Sequence, residues 1–351
     1  MDIGLVAALV APIQDRAANG PHAVIADLAH GLHARGHRVT VYAALGSRLP
    51  GVDVVEIPVE AAVAAARILP GQAVAAPNPA LRRAFARCFT AVRWRGHDAI
   101  SQHAFDADAI TMSRDLPIVH TLHLPPIVPD VVAAARGTRS RLATVSAFTQ
   151  AAWGAAGVDG VIHLPNGVPD RGQRRDAVRP VAVIAGRISP EKGTRAAVRA
   201  ARRAGLRPWV VGDPYDAAYA AAVLAELRDD EYLGALPRAH LSALMAQAAV
   251  TLMPVDWDEP FGLVAAEAQM AGCPVVAYRR GALGEVVADG ISGILVNPGD
   301  EELLPGAIAA ASRLDRRAVR ASAMARLGVA RMIAAYEAAL AGVQHAARTV
   351  A

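Results

Sequence analysis

AVTLMPVDWDEPFGLVAAEAQMAGCPVVAY, residues 249–278, opens on a short apolar run, turns through Pro260-Phe261-Gly262, continues over a helix-length stretch and closes on a second apolar run. The runs Val250–Met253 and Pro274–Ala277 have the length and β-branched content of buried strands. The segment between them, about 261–271, predicts a helix. A strand–helix–strand unit of this length is the building block of a parallel sheet covered by helices.

Working outward, the same alternation fills the chain. Before it, strands are expected at Ile3–Val10, Arg38–Ala43, Val52–Ile57, Asp98–Ser101, Ile118–Thr121, Leu142–Val145 and Val161–Leu164, with helices near 22–35, 79–93, 104–115 and 147–156. The stretch RGQRRDAVRP (171–180), rich in charge and without periodicity, reads as a linker. The alternation then restarts with strands Val181–Ala185, Trp209–Val211, Val250–Met253, Pro274–Ala277 and Ile294–Val296. Helices are expected near 191–205, 215–228, 238–248, 261–271 and 300–312, and a last long one through about 315–345. The expected fold class is α/β, with two Rossmann-like, doubly wound parallel-sheet domains, 1–168 and 178–314, facing a cleft. The C-terminal stretch 315–351 is expected to pack back toward the first domain. Such sheets bind ligands at the carboxyl ends of their strands.

Bulk properties narrow the function. A chain of 351 residues suits two domains. Mean hydropathy is +0.28, yet no apolar run reaches the roughly 18 to 20 residues that cross a bilayer. Residues 3–11 lack a basic region before them and end at Pro12, so they read as a first strand and not as an export signal. Cys88 and Cys273 are then expected as reduced thiols in the cytoplasm. The net charge of +4 is spread along the chain. It suits solvated surface, and equally a face for a phosphate-bearing donor, an acidic acceptor or an anionic membrane. Basic helices such as LRRAFARCF (81–89) leave peripheral membrane contact open. No nucleic-acid module signature is present, and nothing bears on oligomeric state.

Two motifs carry chemistry. In Glu259-Pro-Phe-Gly-Leu-Val-Ala-Ala-Glu267, two carboxylates flank a turn that opens a helix. Gly262 permits close backbone approach, and the amides of Gly262, Leu263 and Val264 lie at the positive end of the helix dipole, a place for an anion or clustered hydroxyls. Glu267 can accept from a ribose diol and Glu259 from sugar hydroxyls. In Gly186-Arg-Ile-Ser-Pro-Glu-Lys-Gly193, at a strand end, Arg187 offers a fork of donors and Lys192 a point charge, both suited to a diphosphate. Lys192 is the single lysine among 36 basic residues, which suggests that this position needs an ammonium.

Taken in order, these segments resemble family 4 (group 1) of the glycosyltransferases, of the GT-B fold, a large class of retaining enzymes. GRISPEKG is similar to that family's phosphate-binding segment and EPFGLVAAE to its paired-glutamate motif. HLPNGV (163–168), ARGHRVTVYA (34–43) and DWDEPFGLVAAEAQMAGCPVVAYRRGALGEVV (256–287) are family-like too. The resemblance implies that Arg187 and Lys192 hold the donor diphosphate and stabilise the leaving nucleotide. It implies that Glu267 holds the ribose, and that Glu259 holds the transferred sugar with the backbone of Phe261, Gly262 and Leu263. His103 matches a histidine placed near the anomeric carbon. His120, His123, Ser146, Asn166 and Gly212 are weaker cleft-lining candidates, and Gly186 and Gly20 are expected to contact the donor. The family's Gly-Gly turn after the first strand is here Ala18-Asn19-Gly20-Pro21, and Ser101 stands where a histidine is common.

The implied reaction moves a hexosyl group from a nucleoside-diphosphate sugar, UDP-glucose first and GDP-mannose second, to an acceptor that could be a small molecule, a sugar or a lipid. No cofactor is expected. Asp106-Ala-Asp108 and Asp256-Trp-Asp258 could chelate a divalent ion, but 21 aspartates give about one such string at random. A sugar-nucleotide epimerase or phosphorylase of the same fold, and an inactive nucleotide-sugar-binding scaffold, are the alternatives. The dinucleotide, P-loop and nucleophile-elbow signatures are missing, which argues against oxidoreductase, kinase and hydrolase.

Overall fold

The computed structural model describes residues 1–13, 20–61, 63, 78–172 and 177–350. Two units emerge, one of 1–14, 21–166 and 330–351, the other of 15–20 and 167–329.

In the first unit seven strands pair in parallel: β1 (Asp2–Val6), β2 (Arg38–Ala44), β3 (Asp53–Ile57), β4 (Ala99–Gln102), β5 (Ile118–Leu122), β6 (Arg141–Thr144) and β7 (Ile162–His163). Their order is β3-β2-β1-β4-β5-β6-β7, so the winding reverses between β1 and β4. β1 stops at Val6, short of the expected Val10, where its neighbour β4 ends at Gln102, although β2 runs on to Ala44 beside β3. The Val6 carbonyl accepts from His103 N at 2.8 Å, and Ala7 N donates to Tyr42 O at 2.9 Å. Strands buried on both faces read as unbroken apolar runs, which is why their positions were legible.

The helix Pro79–Arg95 begins where Asn78 accepts from the amides of Ala80 and Leu81, and ends at Gly96 in the left-handed region. Its apolar face (Leu81, Ala84, Phe85, Cys88, Phe89, Val92) is buried. Arginines on its outer face are paired in turn: Arg83 with Glu60, Arg82 with Asp108, Arg93 with Asp115 and Arg95 with Asp53. Within 81–89, Arg82 and Arg83 are thus paired with carboxylates, and Arg87 Nη1 donates to the Pro58 carbonyl at 3.3 Å.

The single helix expected over 315–345 is two, Arg316–Leu327 and Val329–Val350. The break has a tertiary cause. The Leu327 carbonyl accepts from Val168 N at 2.8 Å, and Val329 N donates to Val168 O at 3.0 Å, which leaves Gly328 extended. The second of these helices closes the first unit. Tyr336 is fully buried, with its hydroxyl 3.1 Å from Thr121 Oγ1, and Glu337 pairs with Arg35 at 2.5 Å and His37 at 2.6 Å. The expected helix at 104–115 shrinks to Ala107–Thr111, capped by Asp106. Pro129–Arg136 and Leu283–Val286 are helices that periodicity did not reveal.

In the second unit β8 (Arg179–Ala185), β9 (Arg207–Val211), β10 (Ala248–Met253), β11 (Val275–Tyr278) and β12 (Gly293–Val296) are also parallel, in the order β12-β11-β10-β8-β9. The winding reverses between β8 and β10. Part of the expected linker, 173–176, lies outside the described residues, and β8 begins within its end. The core joins Ala182, Ile184, Val250, Leu252 and Val276 of the sheet to Ala197, Val198 and Ile308 of the helices.

Gly212 follows β9 at φ +145°, and a Cβ there would sit 1.8 Å from the Gly186 carbonyl oxygen. Gly212→Ala is expected to cost about 2–4 kcal/mol in urea unfolding. Gly342→Ala, in open space on an exposed helix turn, is expected to gain about 0.5–1 kcal/mol. Equal midpoints for the two variants would contradict this packing.

Candidate functional site

In the second unit the loops leaving β8 and β10 lie side by side, because those strands are neighbours where the winding reverses. Crevices at such points are where doubly wound sheets take ligands. The first loop carries Gly186 (φ +137°), Arg187 and the single helical turn Pro190–Lys192. Gly193 ends that turn at φ +66°, and a Cβ there would meet the Pro254 carbonyl oxygen at 2.0 Å. The second loop carries Trp257, Glu259 and Gly262, and leads into the helix Leu263–Met270.

The two motifs meet directly. Lys192 Nζ donates to Glu259 Oε2 at 2.7 Å, and Trp257 Nε1 donates to the same oxygen at 2.6 Å. Asp256 N donates to the Glu191 carbonyl at 2.8 Å. Arg187 Nη2 reaches Glu191 Oε1 at 3.3 Å, which also accepts from Ser189 Oγ at 2.7 Å. Gly281 supports Glu259 from beneath: its own Cβ position would fall 2.4 Å from Glu259 N, and Ala282 N donates to Glu259 O at 2.8 Å. Glu259, expected to accept from sugar hydroxyls, thus has one oxygen already engaged by a cation and an indole.

Gly262 stands at φ +93°, and no side chain among the described residues caps the helix it begins. The first-turn amides of Gly262, Leu263 and Val264 face the loop end of that helix, and Phe261 is buried beside them. Glu267, one helix turn further on, takes Arg238 on Oε1 at 2.7 Å. Arg238 is itself buried, and nothing in LPRAHL signalled it. Asp256 and Asp258, the strings that could chelate a metal, both pair with Arg280, Asp258 at 3.3 Å.

The remaining candidates lie in the first unit. His103 directly follows β4 and is 1% exposed. Its Nε2 is 2.9 Å from Ser101 Oγ, its Nδ1 is 2.9 Å from His123 Nε2, and its ring stacks on Tyr336 with centroids 5.7 Å apart. Both ring nitrogens are therefore engaged within the protein. His120, expected to line a cleft, is instead fully buried on β5, and neither ring nitrogen has a partner among the described residues. Ser146 serves as a helix cap, accepting from Thr149 N at 3.1 Å. Asn166 is buried with Oδ1 unpartnered among the described residues. Gly20 is the first residue of the helix Gly20–Ala34, while Ala18 and Asn19 lie outside the described residues.

The family description "Glycosyltransferase Family 4" matches residues 18–171, and "Glycosyl transferases group 1" matches 170–327. The chain belongs to this glycosyltransferase family. The D-inositol 3-phosphate glycosyltransferase of Mycobacterium marinum is 37% identical over 166 residues, which cover 43% of this chain and 35% of that protein. The chain thus spans about a third or less of the length of the curated relatives it matches. Among solved structures, the sucrose-phosphate synthase of Thermosynechococcus elongatus superposes with a TM-score of 0.76 at 19% identity, over 99% of this chain and 98% of that one. Anabaena Alr3699/HepE, solved with UDP and glucose, gives 0.75 at 20% identity, over 97% and 99%. These likenesses establish the GT-B fold.

In this family 4 glycosyltransferase four buried histidines of the first unit are held neutral. Burial pushes His22 from 6.5 down to about 4, His120 and His123 to about 3, and His103 well below its ordinary value. Neighbouring imidazoles add to the effect, His123 on His103 and His22 on His123. Below pH 6.5 the unfolded chain takes up protons that the folded chain refuses, so stability is full above 6.5 and falls as pH drops toward 3. His22, His120 and His123 are each expected to cost about 2 kcal/mol by pH 5. Thermal melts at pH 7 and pH 5 check this. His120→Leu should be neutral or stabilising at pH 7 and should flatten the pH dependence, whereas an unchanged slope would contradict the burial of a neutral ring.

Proposed function

We propose that this chain transfers a hexosyl group from a nucleoside-diphosphate sugar to an acceptor hydroxyl, with retention of configuration and without a metal ion. The observation that carries this reading is the junction of Lys192, Arg187 and an uncapped helix start at the point where the second sheet's winding reverses. Cleavage of the anomeric C–O bond leaves its electron pair on the diphosphate. Lys192 and Arg187 are the groups that would stabilise that charge, with the amides of Leu263 and Val264 beside them. The acceptor oxygen attacks from the face the leaving group departs from, and its proton passes to the departing phosphate oxygen. Glu267, oriented by Arg238, is assigned to the ribose hydroxyls, and Glu259 to the transferred sugar.

HepE, solved in complex with UDP and with UDP-glucose, favours UDP-glucose as the first donor to try, with GDP-mannose as the second. The name of the mycobacterial relative makes a phosphorylated polyol the first acceptor to try. Arg280, which already supplies positive charge to Asp256 and Asp258, supports a reaction that needs no divalent ion at that pair. The cytoplasm, where nucleotide sugars are made, is the compartment this reading assigns.

Release of nucleotide from the donor is the assay. Lys192→Ala is expected to lower turnover about 10²–10³-fold with the melting temperature unchanged. Near-normal turnover would remove the cationic site. Glu267→Ala is expected to weaken UDP binding about tenfold, and unaltered affinity would end its ribose assignment. Excess EDTA should leave turnover intact, while complete loss would return Asp256 and Asp258 to consideration as metal ligands.

A further inference from the structure

Lys192 and Arg187, the two cations assigned to the donor diphosphate, each touch a carboxylate and an aromatic ring. Lys192 Nζ is 2.7 Å from Glu259 Oε2 and 4.8 Å from the centroid of the Trp257 ring. Arg187 Nη2 is 3.3 Å from Glu191 Oε1, and its Cζ lies 4.4 Å from the centroid of Tyr215. The chain has only four tryptophans and six tyrosines, so two of them meeting these two cations is a selective arrangement. The rings come from different segments, Tyr215 beyond β9 and Trp257 beyond β10, and so report independently.

A carboxylate and a ring hold a cation in different ways. The carboxylate offers a full negative charge, which an arriving diphosphate must replace. The ring attracts through its quadrupole and carries no net charge, so it does not compete with the ligand for the cation's charge. Without the ring, a lysine released from its carboxylate would regain the freedom of its four-carbon stem. The Trp257 indole also donates to Glu259, which fixes the carboxylate that Lys192 must leave.

We propose that Trp257 and Tyr215 are positioning residues that keep Lys192 and Arg187 in place while their partner changes from carboxylate to diphosphate. This rests on the donor-site reading above. The test is titration of the intact protein with UDP, GDP, ADP and dTDP, followed by calorimetry and tryptophan fluorescence. The wild type is expected to bind one of them with a change in fluorescence that Trp257→Phe abolishes. Trp257→Phe and Tyr215→Phe, which keep a ring, should retain affinity within about threefold, whereas Trp257→Ala and Tyr215→Leu should lose about tenfold. Ligand-free melting temperatures should agree within a few degrees across the set. Ring-less variants that bind as tightly as wild type, or Phe variants as weak as ring-less ones, would overturn the inference and leave the donor site standing. A wild type that binds none of the four would overturn both.

Discussion

Lys192 and Glu259 are 67 positions apart in the chain and 2.7 Å apart in space. Their contact depends on one topological fact, that β8 and β10 pair in parallel where the second sheet reverses its winding. Both strands deliver their following loops to the same edge, and each loop is shaped by a glycine that no other residue could replace without displacing backbone. Gly193 lies against the Pro254 carbonyl and Gly281 against the backbone of Glu259. The chemistry of the site follows from that packing, since it brings an ammonium, a guanidinium and a helix start to one place.

The electrostatic state of the site is nevertheless balanced. Arg187 pairs with Glu191, Lys192 with Glu259, Arg238 with Glu267 and Arg280 with two aspartates. Partly buried positive charges left without partners would repel one another and pay a desolvation cost. Carboxylates remove that cost, and the rings of Trp257 and Tyr215 keep the cations in register without adding charge. The first unit follows a different logic. Its sheet edge carries imidazoles that burial keeps neutral, joined to one another and to Tyr336 of the C-terminal helix.

Much of this was legible in the sequence. The twelve strands of the described residues arise within a few residues of their expected places, because parallel strands buried on both faces leave continuous apolar runs. GRISPEKG and EPFGLVAAE, which the structure joins through Lys192 and Glu259, stood out in the sequence as well, since glycines, a helix start and the only lysine mark them. What was hidden depends on contacts between distant segments. The break at Gly328 comes from Val168, which no local pattern near 328 could show. Arg238, Tyr215 and Trp257 acquire meaning only through Glu267, Arg187 and Lys192. His120, a weaker cleft-lining candidate in HTLH, lies in the middle of β5 and is fully buried, which no local pattern distinguishes from a strand-end position.

The central claim is that the loops after β8 and β10 form one nucleoside-diphosphate site. Thermal melting of the intact protein in EDTA, with UDP, GDP, ADP, dTDP and their common sugar conjugates each in excess, tests it most directly. A ligand bound only by the folded state raises the midpoint by mass action. The account predicts that one diphosphate and its sugar conjugate raise it by several degrees, and that Lys192→Ala loses most of the shift. No shift with any of them, or an equal shift in Lys192→Ala, would contradict it.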